Sequence, residues 1–193
     1  REVELFVAVL GASNFTFAEA SETQQITDWI ASHVRAFEAL GGVTGAVVPD
    51  QLKSGVTRPC RYEPEIQRSY EELALHYGTV ILPARPASPR DKAKVEVGVL
   101  IALRWIIARL RDETFFTLPA LNHRIGELAV ELNDRMMRHY RASRRSLFEQ
   151  LDRPALKPLP EMRYEHALWK FVRPNIDYHV ELDGHYYSVP FTL

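Results

Sequence analysis

Val3 to Leu10 form a nearly continuous apolar run, Gly11 to Asn14 supply turn residues, and Phe15 to Ala18 form a second apolar segment. Two strands joined by so short a turn predict an antiparallel hairpin. The apolar period then lengthens. Ile26, Trp29, Ile30, Val34, Phe37 and Leu40 recur at helical spacing, with Ser21 and Gln24 as a capping box and Gly41 as a stop. Thr44 to Val48 read as a short buried strand ending at Pro49 and Asp50.

Further on, Ile66, Tyr70, Leu73 and Tyr77 mark a second helix stopped by Gly78, and "TVILPARP" is a strand ended by prolines. A long helix follows in "SPRDKAKVEVGVLIALRWIIARLRD", with Ser88 as cap, Pro89 at its first position and Asp91 three residues after the cap. From Val95 to Leu110 it is apolar on most sides, which predicts extensive burial. The order is strand, strand, helix, strand, helix, strand, helix. Leu121 to Tyr140 continue the helical period, and "LDRPALKPLP", with three prolines in ten residues, predicts an extended linker. Tyr178 to Leu182 and His185 to Val189 flank Asp183-Gly184, a strong hairpin signal.

Composition narrows the function classes. An apolar fraction of 46% with 25% charged residues is that of a soluble globular chain. No apolar stretch approaches the roughly 20 residues that cross a bilayer, so a cytoplasmic protein with no membrane partner is expected. The single cysteine, Cys60, allows no disulfide within these residues. A formal charge of −1 gives no global attraction to nucleic acid, so any such binding must come from local clusters. One cluster stands out: "RMMRHYRASRR" holds Arg135, Arg138, Arg141, Arg144 and Arg145. On a helix their spacing drifts about 60° per step, wrapping a broad face that either grips phosphates or is merely solvated. Gly-rich phosphate loops, CxxC and HExxH metal spacings and GxSxG elbows are absent from the sequence.

Two carboxylates sit where chemistry is possible. Asp50 follows a predicted central strand, and Glu96 lies about two turns into the apolar helix. A carboxylate in such a helix carries a large desolvation cost unless a cation or metal meets it. Lys92, four residues earlier, supplies a structural explanation, and a metal supplies a functional one. Lys53, Arg90, Lys92 and Lys94 lie near the same place in sequence and are candidates for phosphate contacts. His76 and His123 read as core or surface histidines, Trp29 and Trp105 as core, and Trp169 as a packing or stacking residue beside Lys170 and Arg173.

The segments "FVAVLGASNFTFAEA", "VVPDQLKSGV", "RYEPEIQRSYEELALHYG", "LPARPASPRDKAKVEVGV" and "DGHYYSVP" together resemble the IstA-type transposases of bacterial insertion sequences. These are DDE transposases whose catalytic core has the RNase H-like fold shared with retroviral integrases. The resemblance implies that Asp50 is the second and Glu96 the third member of an Asp-Asp-Glu triad. The first Asp would lie on a strand upstream of the opening hairpin; the chain is therefore expected to be a fragment that binds DNA without cutting it. Gln51 departs from the "PDN" of relatives.

What the resemblance implies is an α/β fold: an RNase H-like mixed sheet flanked by helices over residues 1–118, a helical and Pro-rich connector over 119–163, and the start of a small β-barrel over 164–193. The implied activity is cleavage and strand transfer at insertion-sequence ends, dependent on two Mg²⁺ or Mn²⁺ ions. Implied partners are the element's terminal DNA, target DNA, other copies of the protein and an AAA+ ATPase helper, in the bacterial cytoplasm at the nucleoid. The sequence leaves two other readings open: a non-catalytic DNA-binding or assembly module, and a nuclease of the same fold that only hydrolyses.

Overall fold

The computed structural model describes residues 2–49, 64–82, 89–167, 172–182 and 184–190. Two strands open the chain, β1 (Glu4–Val9) and β2 (Thr16–Ser21), paired antiparallel from Glu4↔Ser21 to Val9↔Thr16. Helix α1 (Ile26–Leu40), β3 (Ala46–Val47), α2 (Pro64–Tyr77), β4 (Val80–Ile81) and α3 (Pro89–Leu110) follow in the expected order. Strands β3 and β4 pair parallel, Ala46↔Val80 and Val47↔Ile81. Among the described residues the strands pair two by two, and no strand joins β1 to β3.

The pleat of the first pair sorts its side chains between two helical layers. Leu5, Val7, Ala18 and Ala20 face α3 and a further helix, α4 (Leu118–Asp134), around Ile106, Ile125 and Leu128. Phe6 and Glu19 face the other way. There Phe6 meets His33 edge-on, and Glu19 holds Arg35 of α1 through two bonds of 2.7 Å. A second apolar cluster joins α1 to α2 through Ile30, Val34, Phe37, Tyr70, Leu73 and Tyr77, with Val47 and Ile81 of the parallel strands against it. Within this layer His33 is 7% exposed. Its Nδ1 donates to the Trp29 carbonyl at 2.9 Å and its Nε2 lies 3.2 Å from the Tyr70 hydroxyl. Burial pushes its pKa down to about 4.

Helix α1 ends as its sequence predicts, on Gly41 in the left-handed region (φ 70°) with its N–H on the Glu38 carbonyl. Its start differs. Gln25 is the cap residue and makes no side-chain bond; Asp28 instead accepts from the N–H and hydroxyl of Thr23, at 3.0 and 2.5 Å. The acidic first-turn residue reaches back to do the work expected of Ser21 and Gln24.

Helix α3 also departs from expectation. Gly98, Ala102 and Ile106 pack on the sheet, but Val97, Leu100, Ile101 and Ile107 are exposed. Only one side of the helix is covered by the described residues, so apolar content overstated its burial.

Helix α4 seals the outer edge of β2. Asn122 Oδ1 accepts from Ala20 N at 2.6 Å and its Nδ2 donates to Ala20 O at 2.9 Å. Asn133 does the same at Thr16, at 2.9 and 2.8 Å. The step of eleven residues from Asn122 to Asn133 spans about 16 Å of helix. The step of four from Thr16 to Ala20 spans about 13 Å of strand. Two side-chain amides thus take the place of a neighbouring strand on β2's edge.

The expected continuation of this helix to Tyr140 does not occur. Helix α4 stops at Asp134, Arg135 turns extended (φ −66°, ψ 132°), and β5 (Met136–Met137) pairs antiparallel with β6 (Ala142–Ser143). Arg144 explains the stop: its guanidinium donates to the Leu132 carbonyl at 3.2 Å, satisfying a helix-end acceptor that no further turn then needs. Arg145 pairs with Asp134 beside it. A short helix, α5 (Arg144–Leu147), and two irregular turns to Ala155 lead into the Pro-rich segment.

That segment is extended and pinned to the α/β unit. Val43 and Lys157 exchange backbone bonds of 2.9 Å in both directions, and Lys157 Nζ donates to Gly78 O. Gly42 permits the approach, since a Cβ there would lie 2.8 Å from both Leu156 Cβ and Lys157 O. Arg163 pairs with Glu38, and His76 bonds the Met162 carbonyl. Beyond it β7 (His179–Leu182) and β8 (His185–Ser188) form the hairpin predicted around Asp183-Gly184, with Gly184 at φ 79°. Asp183 itself lies outside the described residues, as do Cys60 and Trp169.

Candidate functional site

The two parallel strands run side by side and end together, Val80 N donating to Gly45 O and Leu82 N to Val47 O. The chain leaves β3 through Val48 and the buried Pro49, and Asp50 is the next residue. Asp50 and Lys53 lie outside the described residues. Glu96 is carried by α3, as are Arg90, Lys92 and Lys94; their side chains also lie outside what is described.

The placement of the α3 backbone is well defined by Gly98. An added Cβ there would meet Val9 Cγ1 at 3.0 Å, so helix and strand approach as closely as a glycine allows. Glu96 is two residues away, a rise of about 3 Å along the helix axis. Four residues beyond Gly98, Ala102 is fully buried, and Ile106 locks the next turn into the core with Ala18, Ala20 and Leu128. Trp105 completes the anchorage by donating its indole N–H to the Leu128 carbonyl at 3.1 Å. The backbone of the turn that carries Glu96 is thereby held at a fixed distance from the end of β1.

The five arginines of the basic segment fall into two groups. Arg144 is buried (7% exposed) on the Leu132 carbonyl, and burial, with Arg135 nearby, lowers its pKa. Arg145 is paired with Asp134. Both are engaged in ending α4. By contrast, Arg138 and Arg141 occupy the exposed turn of the β5–β6 hairpin, with His139 and Tyr140 between them and Arg141 in the left-handed region (φ 51°). Neither has an ion-pair partner among the described residues. Arg135 stands at the hairpin's base, its guanidinium 4.9 Å from the Trp105 ring centroid; Arg109 lies over the same ring at 3.2 Å. Sequence spacing on an assumed helix could not separate these roles, because α4 ends at Asp134, before the first of the five arginines.

Sequence reasoning also missed Asn122 and Asn133. An asparagine inside an amphipathic helix has no signature that distinguishes an edge seal from a solvated side chain, and only the position of β2 reveals it.

No family model matches the chain. It is 55% identical over 190 residues to a Sinorhizobium fredii protein named "Putative transposase y4bL/y4kJ/y4tB", covering 98% of this chain and 37% of that protein. It is 52% identical over 192 residues to the "Putative transposase for insertion sequence IS408" of Burkholderia multivorans, covering 100% of this chain and again 37% of the relative. The chain therefore spans little more than a third of the length of these relatives. Among solved structures it is similar to the catalytic core domain of BIV integrase, with a TM-score of 0.58 at 14% identity, covering 79% of this chain and 89% of that one. The fold is thus of the integrase catalytic-core type, a mixed α/β arrangement.

Proposed function

We propose that this chain is most of the catalytic core of an insertion-sequence transposase of the IstA type, which cuts DNA at the element's ends and joins the freed 3′ hydroxyls to target DNA. The observation that carries this reading is the 55% identity to a protein named as a transposase along nearly the whole chain, on a fold of the integrase-core type.

In this reading the two paired sheets belong to one RNase H-like sheet. The strand between β1 and β3 is an upstream segment carrying the first Asp of the triad. Strand β1 is consistent with this: it has helices on both faces through Phe6 and Val7, yet only β2 on its edges among the described residues. A strand covered on both faces is normally interior to its sheet.

Asp50 and Glu96 are the protein's own metal donors. The donor set fits Mg²⁺ or Mn²⁺, since hard divalent ions take oxygen ligands and carboxylates meet that demand without His or Cys. When bound, the two ions supply activation of the attacking oxygen and stabilisation of the leaving one. The chain's contribution is positional: α3, anchored by Gly98, Ala102, Trp105 and Ile106, holds Glu96 rigidly, and basic side chains hold DNA phosphates. Lys53, Arg90, Lys92 and Lys94 serve the scissile region. Other protomers and an AAA+ ATPase complete the assembly, which works on cytoplasmic DNA; residues 164–193 begin a small β-barrel. No helix among the described residues is long and apolar enough to cross a membrane.

The test is a strand-transfer assay on the full-length protein with a duplex bearing the element's end, in Mg²⁺ or Mn²⁺. Joined products that vanish in Asp50→Asn, with DNA binding retained, support the reading. Joining by Asp50→Asn at the parent rate refutes it.

A further inference from the structure

We infer that the β5–β6 hairpin is a dedicated DNA-backbone contact, in which Arg138 and Arg141 bind phosphates of duplex DNA several nucleotides from the point of cutting, while Arg144 and Arg145 do not touch DNA. The inference rests on the transposase reading for the identity of the cutting site, and refines which part of the chain holds the substrate.

Charge points to a polyanion. On a chain of formal net charge −1, residues 135–145 contain five arginines and no carboxylate. Geometry then selects among the five. A guanidinium already bonded to a helix-end carbonyl, or paired with a neighbouring carboxylate, must give up that partner before it can bind phosphate. Arg144 and Arg145 are in that position. Among the described residues Arg138 and Arg141 have no such bond to break, and they are the first and last residues of the four-residue turn, on opposite sides of its tip. The turn also exposes Tyr140, 49% accessible, whose ring and hydroxyl can pack on a sugar or bond a phosphate oxygen. A hairpin is a suitable carrier: it is narrow enough to enter a groove of duplex DNA, and the paired residues Met136↔Ser143 and Met137↔Ala142 fix its register.

The hairpin's base is tied to the catalytic helix. Arg135 lies over Trp105, and Trp105 is nine residues along α3 from Glu96. At about 1.5 Å per residue this places the hairpin's base about 14 Å along the helix from the Glu96 backbone. One strand of duplex DNA advances about 3.4 Å per nucleotide. A duplex running along α3 is therefore contacted about four nucleotides from the phosphate at Glu96. Such a contact sets the register of the substrate without taking part in chemistry.

The experiment measures binding of the full-length protein to a mixed-sequence DNA duplex from about 50 to 200 mM salt. Removing two phosphate contacts lowers the salt slope by about 2 and the affinity at 0.1 M salt by roughly 10- to 100-fold. The expected result is this loss in Arg138→Ala/Arg141→Ala with an unchanged melting temperature. Arg145→Ala should keep the parent slope. If the double variant retains slope and affinity, or if Arg145→Ala loses as much as one hairpin arginine does, the inference is overturned. Because binding is read without chemistry, the two readings separate. A protein that joins DNA but whose hairpin variant keeps the slope defeats only this inference. A protein that never joins DNA but whose hairpin variant loses the slope defeats only the transposase reading.

Discussion

Gly98 and Val9 touch where α3 crosses the end of β1, so closely that a methyl group at position 98 would lie 3.0 Å from Val9 Cγ1. This contact fixes how near the Glu96-bearing turn comes to the sheet. Alanine at 98 gains up to about 1 kcal/mol of helix propensity but must push Val9 aside by a few tenths of an ångström. A larger side chain has no such compromise.

Gly98→Val is therefore expected to destabilise the fold by about 1–3 kcal/mol. Adding Val9→Ala should recover at least about 0.5 kcal/mol of that, a coupling that denaturant titration of the four proteins of the cycle will show. Strict additivity would mean that the two residues do not press on one another.

Asn133 should be the costliest polar residue of α4 to lose. Thr16 is 2% exposed, and both its backbone N–H and carbonyl depend on the Asn133 amide. Asn133→Leu leaves both groups buried without partners, a loss of about 2–4 kcal/mol. Asn133→Asp keeps the acceptor but turns a second oxygen towards the Thr16 carbonyl, so it should not rescue. A shift of the urea midpoint at constant slope is the expected record.

Those asparagines mark the boundary of what the sequence discloses. The strand, strand, helix, strand, helix, strand, helix order, the Gly41 stop and the hairpin around Asp183-Gly184 are all legible, because local periodicity and glycine conformation decide them. The end of α4 is not. No glycine or proline stands at 135–140, and the helix stops because Arg144, twelve residues after Leu132, returns to take its carbonyl. The half-covered face of α3 is likewise invisible in a helix that is apolar most of the way round. For the site, Asp50 and Glu96 become candidates through the family resemblance, since periodicity alone leaves Glu96 open to a structural role, whereas the division of the basic segment into capping and free arginines depends on tertiary contacts that spacing does not encode.

His33 gives the fold a definite acid sensitivity. Its pKa is lowered by burial to about 4, from an ordinary 6.5, so the folded state favours the neutral ring. Stability from this group is complete above about pH 6.5 and is lost as pH falls towards 4. The loss amounts to about 2 kcal/mol by pH 5. Unfolding free energies at pH 7 and pH 5 should differ less, by roughly that amount, in His33→Gln than in the parent. An equal drop in both proteins would assign the acid sensitivity to other groups.

The proposed metal ligand Glu96 follows Lys92 by four residues, a spacing that also suits a structural ion pair. Strand transfer by the full-length protein carrying Glu96→Gln, in Mg²⁺ and in Mn²⁺, separates the two. If Glu96 is a metal ligand, joined DNA products disappear while binding of the end duplex and the melting temperature stay close to the parent values. If Glu96→Gln joins ends at the parent rate, the carboxylate takes no part in chemistry and the catalytic assignment of this helix is wrong.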